Sequence, residues 1–465
     1  MHKHHAVFLA VMTAVSGFAL ADEPANTPNA DAQVLRGTNQ TLPQADGYDL
    51  ISKAETTFSA WYYGRDRQEQ AATDRGDIKV NVINLGLNFK SGYAWDKVGF
   101  DVAAHTAQKI GETKGWSEIL RHEDGVSPKD ESYSVISQAA IKFRQNADGQ
   151  GLATRIGYTP ISVGTLGTSG GLQSHAYRGA EVKYKTGDLE LGYGWADQFR
   201  NEWDDRFRNI TNQWHQNRGT NDKGMPHIDG KQIEYVNSLG LRYAPKDGFV
   251  DIGIGEGKDY RRNAQIAGGY TWNLAGGDKL TATGYLFTAK NITQLSGDAD
   301  PKNEYHASGS VSYATGGLTL LGGLGYTHNP ANGASNELNF RLAPWANSDN
   351  RNFIQTWGQL DDFVWDGQTV IKLSASYDFA KLGLPGFSAG ISGNYATGAK
   401  YKNEQGQNVT AKFSEVDLSF GYAVQSGVLK GASIGIYPAW LKTDKFDQKS
   451  DRSDVKVVAN YTKTF

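Results

Sequence analysis

Ile83-Asn84-Leu85-Gly86-Leu87-Asn88-Phe89 alternates apolar residues with small polar ones. A β-strand turns successive side chains to opposite faces. Ile83, Leu85, Leu87 and Phe89 therefore share one face, and Asn84, Gly86 and Asn88 share the other. The pattern returns about eighteen times, in stretches of roughly ten residues, as expected for a closed sheet with lipid outside and water inside.

Parity sorts the charges. Val98, Phe100, Val102 and Ala104 oppose Gly99, Asp101, Ala103 and His105. Ile233, Tyr235, Leu239 and Leu241 oppose Glu234, Ser238 and Arg242, and Ile371, Leu373, Ala375 and Tyr377 oppose Lys372, Ser374 and Ser376. A Lys or Arg facing lipid at the midplane costs roughly 2–4 kcal/mol, which explains why charges keep to one face. The fold class is therefore all-β: an antiparallel up-and-down transmembrane barrel of about eighteen strands. A soluble sandwich or propeller would pack one face into a dry core of Val, Ile and Leu. Here the polar face is rich in Gly and Ser, which suits an open lumen.

The connections alternate in length. The links 145–151, 186–187, 244–247, 273–278, 315–316, 380–386 and 425–430 are short. Those at 66–77, 108–131, 159–175, 197–231, 291–303, 328–368, 398–410 and 443–453 are long, and 257–260 breaks the rule. Short turns belong on the periplasmic side of such a barrel and long loops outside.

Residues 1–21 read as a signal peptide: Lys3, an apolar run from Ala6 to Leu20, and the small-x-small site Ala19-Leu20-Ala21. Residues 22–54 read as a flexible periplasmic leader and 55–465 as the barrel. The sequence has no cysteine, which removes thiolate nucleophiles and thiolate metal sites. Hydrophobic residues are only 39% of the chain, while Tyr and Trp number 23 and 11, a balance that fits a wet lumen and aromatic girdles better than a dry core. The net charge of −3 gives no footprint for nucleic acid. Catalytic motifs such as G-x-S-x-G, H-E-x-x-H and the P-loop are absent, and the histidines lack metal-ligand spacing, so the reading is a channel that needs no cofactor or metal, not an enzyme.

Three loops carry the candidate site. The uncharged, glycine-rich loop 159–175 is expected to fold inward and narrow the lumen. Loop 328–368 carries Arg341, Trp345, Arg351, Trp357, Asp361, Asp362 and Trp365; loop 197–231 carries Arg200, Trp203, Asp204, Asp205, Arg206, Arg208 and Trp214. Trp faces stack on sugar C–H surfaces, and Asp and Arg satisfy hydroxyls. The plainer reading of these Trp residues is loop packing. Inward parity adds Lys90, Asp101, Lys142, Arg144, Arg155, Glu181, Lys183, Glu190, Glu234, Arg242, Lys372, Glu415 and Asp417. Arg178 has apolar parity but sits just after the third long loop, where it is expected to turn inward. Mixed signs favour neutral or zwitterionic polar solutes over simple anions.

Phe89-Lys90-Ser91-Gly92-Tyr93 with Val98-Gly99-Phe100-Asp101-Val102-Ala103-Ala104, Tyr177-Arg178-Gly179-Ala180-Glu181, and Asp362-Phe363-Val364-Trp365-Asp366-Gly367 with Tyr377-Asp378-Phe379 and Leu384-Pro385-Gly386-Phe387 resemble segments of the OprD family of outer-membrane porins. Trp61-Tyr62-Tyr63 with Arg65-Asp66-Arg67, and Ser91-Gly92-Tyr93-Ala94, look most like its enterobacterial chitoporin branch. The resemblance implies an eighteen-stranded barrel of the Gram-negative outer membrane, narrowed by the third and seventh loops. It also implies uptake of chitooligosaccharides; other members pass basic amino acids or carboxylates. The 22–54 leader and Arg178 depart from the family pattern. A surface adhesin or receptor barrel is the rival of another class. Monomer and homotrimer both stay open, because a subunit-contact face looks like a lipid face.

Overall fold

The computed structural model describes residues 50–69, 77–115, 119–122, 130–167, 175–212, 230–296, 300–330, 337–343, 354–403, 406–444 and 451–465. The signal peptide and all of the leader before Leu50 lie outside these residues. Eighteen long strands are present among them. They are β1 (Glu55–Glu69), β2 (Ile78–Lys90), β3 (Val98–Lys109), β4 (Tyr133–Arg144), β5 (Gly151–Thr159), β6 (Ala176–Thr186), β7 (Leu189–Arg200), β8 (Val236–Tyr243) and β9 (Gly248–Gly257). The second half runs β10 (Arg261–Asn273), β11 (Lys279–Asn291), β12 (Asn303–Thr315), β13 (Leu318–His328), β14 (Thr369–Asp378), β15 (Phe387–Lys402), β16 (Asn408–Ala423), β17 (Ser433–Asp444) and β18 (Arg452–Thr464).

Each strand pairs antiparallel with its neighbours in sequence. β18 returns to β1, from Thr57 opposite Thr464 to Glu69 opposite Arg452. Among the described residues, closure leaves the barrel without an edge strand, as hydrocarbon demands. Arg65 of β1 fastens this seam, its guanidinium 2.6 Å from the Asp454 carboxylate of β18.

The alternation governs exposure as its parity requires. Leu87, Ile136, Ile141, Leu324 and Leu373 stand outward and more than half exposed, while Asn84, Asp101, Lys142 and Glu181 are buried. So large an apolar outer surface is untenable in water and ordinary in lipid. Tyr270 with Trp272, and Phe387 with Tyr422, form outward aromatic pairs toward the ends of the short turns, at the level of a girdle.

Three expectations need correction. Link 398–410 is short, because β15 runs to Lys402 and β16 begins at Asn408. β8 starts at Val236 rather than 232. Before it, Ile233 is fully buried and Glu234 exposed, the reverse of the expected parity, because the chain is not yet in the ladder there.

Candidate functional site

The described residues 160–167 of loop L3 (160–175) lie on the inner wall, and glycine makes room for them. Three rows of inward residues run in register across β6 to β9. They are Lys185, Glu190, Arg242 and Asp251; Lys183, Gly192, Gly240 and Gly253; and Glu181, Gly194, Ser238 and Gly255. A Cβ on Gly192 would meet the Val163 side chain at 2.9 Å, one on Gly194 the Ile161 side chain at 2.8 Å, and one on Gly253 the Gly164 backbone at 2.6 Å. Gly164 itself adopts φ +55°, open to glycine at little cost. Ser238 Oγ accepts the Thr165 N–H at 2.9 Å, and Gln265 Nε2 donates to the Gly164 carbonyl at 2.9 Å. The inward fold expected of this loop is thus present in its described part, residues 160–167.

The described residues of loop L7 (329–368) lie along the wall from β9 and β10, where Leu342 meets Gly255 and Asn263 Nδ2 donates to the Phe340 carbonyl, to β14–β16. Lys372 Nζ donates to the Trp357 carbonyl at 2.5 Å, and Asn394 Nδ2 to that of Thr356 at 2.5 Å. Glu415 accepts the backbone N–H groups of Leu360 at 2.7 Å and Asp361 at 3.0 Å. Asp361 Oδ1 in turn accepts the Phe363 N–H at 2.6 Å, which holds Phe363 at φ +55°, a strained conformation for a bulky residue. L3 and L7 meet in one apolar cluster containing Ile161, Leu166, Leu342 and Ala343.

The remaining charges face one another. Lys142 Nζ lies 2.7 Å from Asp101, and Arg155 lies 3.9 Å from the same carboxylate. Lys183 bridges Glu181 at 2.8 Å and Glu190 at 3.6 Å; Arg242 pairs with Asp251 at 3.3 Å, and Arg261 with Glu304 at 2.5 Å. The wall therefore carries many donors and acceptors with little uncompensated field.

The expected site residues separate into groups. Asp101, Arg155, Glu181 and Arg242 lie on the inward face. Arg144 is inward but sits at a short turn, 3.1 Å from Asp96 and 3.9 Å over the Tyr93 ring, away from L3 and L7. Lys372 is also inward, yet it lies beneath L7 and holds it. Trp357, Trp365, Asp361, Asp362 and Arg341 are all buried, at 5% exposure or less. Trp357 packs with Tyr285 and Phe340, and Trp365 with Phe413, so loop packing replaces the expected stacking platforms. Arg178 does not turn inward. It keeps the outward parity of Ala180 and Val182 and binds Asp197 at 2.8 and 2.5 Å across a bulge in the β6–β7 pairing. Trp345, Arg351 and Trp214 lie outside the described residues. Asp251 and the glycine bed were not anticipated, although inward glycines at alternate positions beside a glycine-rich loop were a usable signal.

On the long-loop side, Arg121 of L2 (110–132) lies 3.1 Å from Asp205 of L4 (201–235), tying the two loops together. Burial would raise the Asp205 carboxyl, but the Arg206 hydrogen bond and the charges of Arg206, Arg121 and Arg208 outweigh it and hold it below the usual range.

Residues 48–465 match the family model described as outer membrane porin, OprD family. The chain is 25% identical over 430 residues to the chitoporin of Escherichia coli strain K12, covering 85% of this chain and 86% of that one. Its fold is that of Pseudomonas aeruginosa OpdK, whose structure was solved with vanillate, at TM-score 0.72 and 20% identity, over 90% of this chain and 100% of that one. Acinetobacter baumannii OccAB1 superposes at TM-score 0.73 and 15% identity, over 91% and 99% of the two chains. A closed barrel with an apolar exterior, an inward L3 and a match across nearly its whole length place this chain in the OprD family of outer-membrane porins.

Proposed function

We propose that this porin passes neutral polar solutes, with chitooligosaccharides as the preferred class. The observation that carries this reading is the mutual pairing of the inward charges: Asp101 with Lys142 and Arg155, Lys183 with Glu181 and Glu190, Arg242 with Asp251. A ring of one sign selects ions of the other, whereas paired signs leave no net field for an ion to follow. Paired groups still donate and accept hydrogen bonds, which is what hydroxyl and acetamide groups require. The 25% identity to a chitoporin supports the same class.

Liposome swelling tests this reading. Proteoliposomes should swell faster in N-acetylchitobiose than in arginine or benzoate at equal osmolarity. Faster entry of arginine or benzoate would overturn the substrate class, and absence of swelling in every solute would favour an adhesin or receptor barrel.

A further inference from the structure

Directly below L3, toward the short turns, the inner wall forms a pocket. Ser162, Val163 and Gly164 roof it, Gly192 and Gly240 form its back, and Lys183, Glu190, Arg242 and Asp251 line its polar side. The charges there are ordered. Lys185, Glu190, Arg242 and Asp251 stand in one registered row on four successive strands, so the sign alternates with each strand. Lys183, one row higher, reaches Glu190 at 3.6 Å, and Arg242 also lies over the Phe249 ring at 5.3 Å. Glu190 is the most accessible of the four lining charges, its side chain 34% exposed, with Lys183 at 19%, Arg242 at 14% and Asp251 at 13%.

The glycines have a second consequence here. A Cβ on Gly192 would meet the Val163 side chain at 2.9 Å and one on Gly240 the Gly164 nitrogen at 2.5 Å, so side chains there would displace the residues of L3 that roof the pocket. The same residues that seat L3 therefore leave a polar niche on its periplasmic side.

We propose that this niche is an exit-side subsite for a vicinal-diol or N-acetylamino sugar unit, occupied after the solute has passed L3. This rests on the neutral-sugar reading above. A diol sets two hydroxyls side by side; each can donate to a carboxylate and accept from a neighbouring cation. An alternating row offers that choice at every step, and hydrogen bonds to charged groups are the stronger kind. A lone cation or anion gains little there, because binding it separates an existing pair. Arg242, held over Phe249, presents its donors in a fixed fork, and Glu190 presents the accessible carboxylate.

Single-channel current in a planar bilayer tests the subsite, with triacetylchitotriose added separately to each side. In the unaltered protein, periplasmic addition should give blocking events. In Glu190→Gln and in Arg242→Gln, the residence time of those events should fall about fivefold, the factor expected for loss of one net hydrogen bond of about 1 kcal/mol. Events from the extracellular side should change less than twofold on entry rate. Heat-modifiable migration of each variant on gels verifies that the barrel has formed, and Asp251→Asn supplies a second variant on the same row. Unchanged periplasmic residence times in folded Glu190→Gln and Arg242→Gln would overturn the subsite while leaving the sugar reading intact. No block by chitotriose from either side of the unaltered protein would overturn the sugar reading itself. Side-specific block by the zwitterion glycylglycine and not by chitotriose would reassign the niche to amino acids or peptides.

Discussion

Glu415 Oε1 accepts the backbone N–H of Leu360 at 2.7 Å, so a strand residue of the wall holds L7 against its inner face. The second oxygen takes the Asp361 N–H, and a Cβ on Gly358 would meet the carboxylate at 2.4 Å. In Glu415→Gln, one oxygen becomes an NH₂ facing a backbone donor. The loss should weaken the L7 seat by about 1–3 kcal/mol. The expected outcome is a folded channel with added brief closures and current noise. A current trace as quiet as that of the parent would sink this account of L7.

Gly253 is a steric test of L3. A Cβ there meets the backbone of Gly164 and Thr165 at 2.6–2.7 Å. Because the contact is backbone on both sides, no side-chain rotation relieves it, and overpacking of this kind costs about 1–3 kcal/mol. Gly253→Val should push L3 toward the axis and lower single-channel conductance, with the barrel still assembled. Conductance equal to the parent's would mean that L3 does not rest on this wall.

The closing seam depends on Arg65. Its guanidinium and the Asp454 carboxylate are both almost fully buried, with Lys456 at 3.9 Å as a further neighbour. Removing one partner of a buried pair typically costs about 3–5 kcal/mol, because the other charge remains. Arg65→Ala should lower the temperature at which the detergent-folded barrel loses its heat-modifiable mobility. Asp454→Asn with Arg65→Gln together should cost less than Arg65→Ala alone. Equal or greater loss in the double variant would argue against an ion pair as the fastening.

Acid should release the external loops in one step. Asp205 titrates below its unfolded value of about 3.9, so its contribution is complete above that pH and is lost as pH falls through the lower folded value. Limited proteolysis of L2 and L4 across pH 2–5, with an acid-active protease, should show increased cutting only at the acid end, by about that threshold. The step should vanish in Asp205→Asn, whose loops start out loosened. An undiminished acid step in that variant would assign the transition to another group.

The barrel was legible because lipid imposes a rule on every second residue. Leu373 must face out and Lys372 in, and a single chain shows that directly. The direction in which a side chain points did not tell what would lie over it. Lys372, Asp361, Trp357 and Trp365 read as lumen groups because the path of L7 has no period from which to infer its packing. Arg178 misled for a different reason: its parity already pointed outward, but its place after L3 argued for an inward turn, and a bulge, visible only in the pairing, puts its partner Asp197 on the same outward face. The glycine bed was written in the chain as Gly192, Gly194, Gly240, Gly253 and Gly255, but its meaning needs the register that stacks them.

The central claim is that a lumen of paired charges, narrowed by L3 and L7, passes neutral sugars. Single-channel current in a planar bilayer, read while solutes are added in turn, tests it most directly. The account predicts a steady ion current that chitooligosaccharides interrupt in discrete events. An absent current, or one interrupted by arginine or carboxylates while chitooligosaccharides leave it untouched, would contradict it.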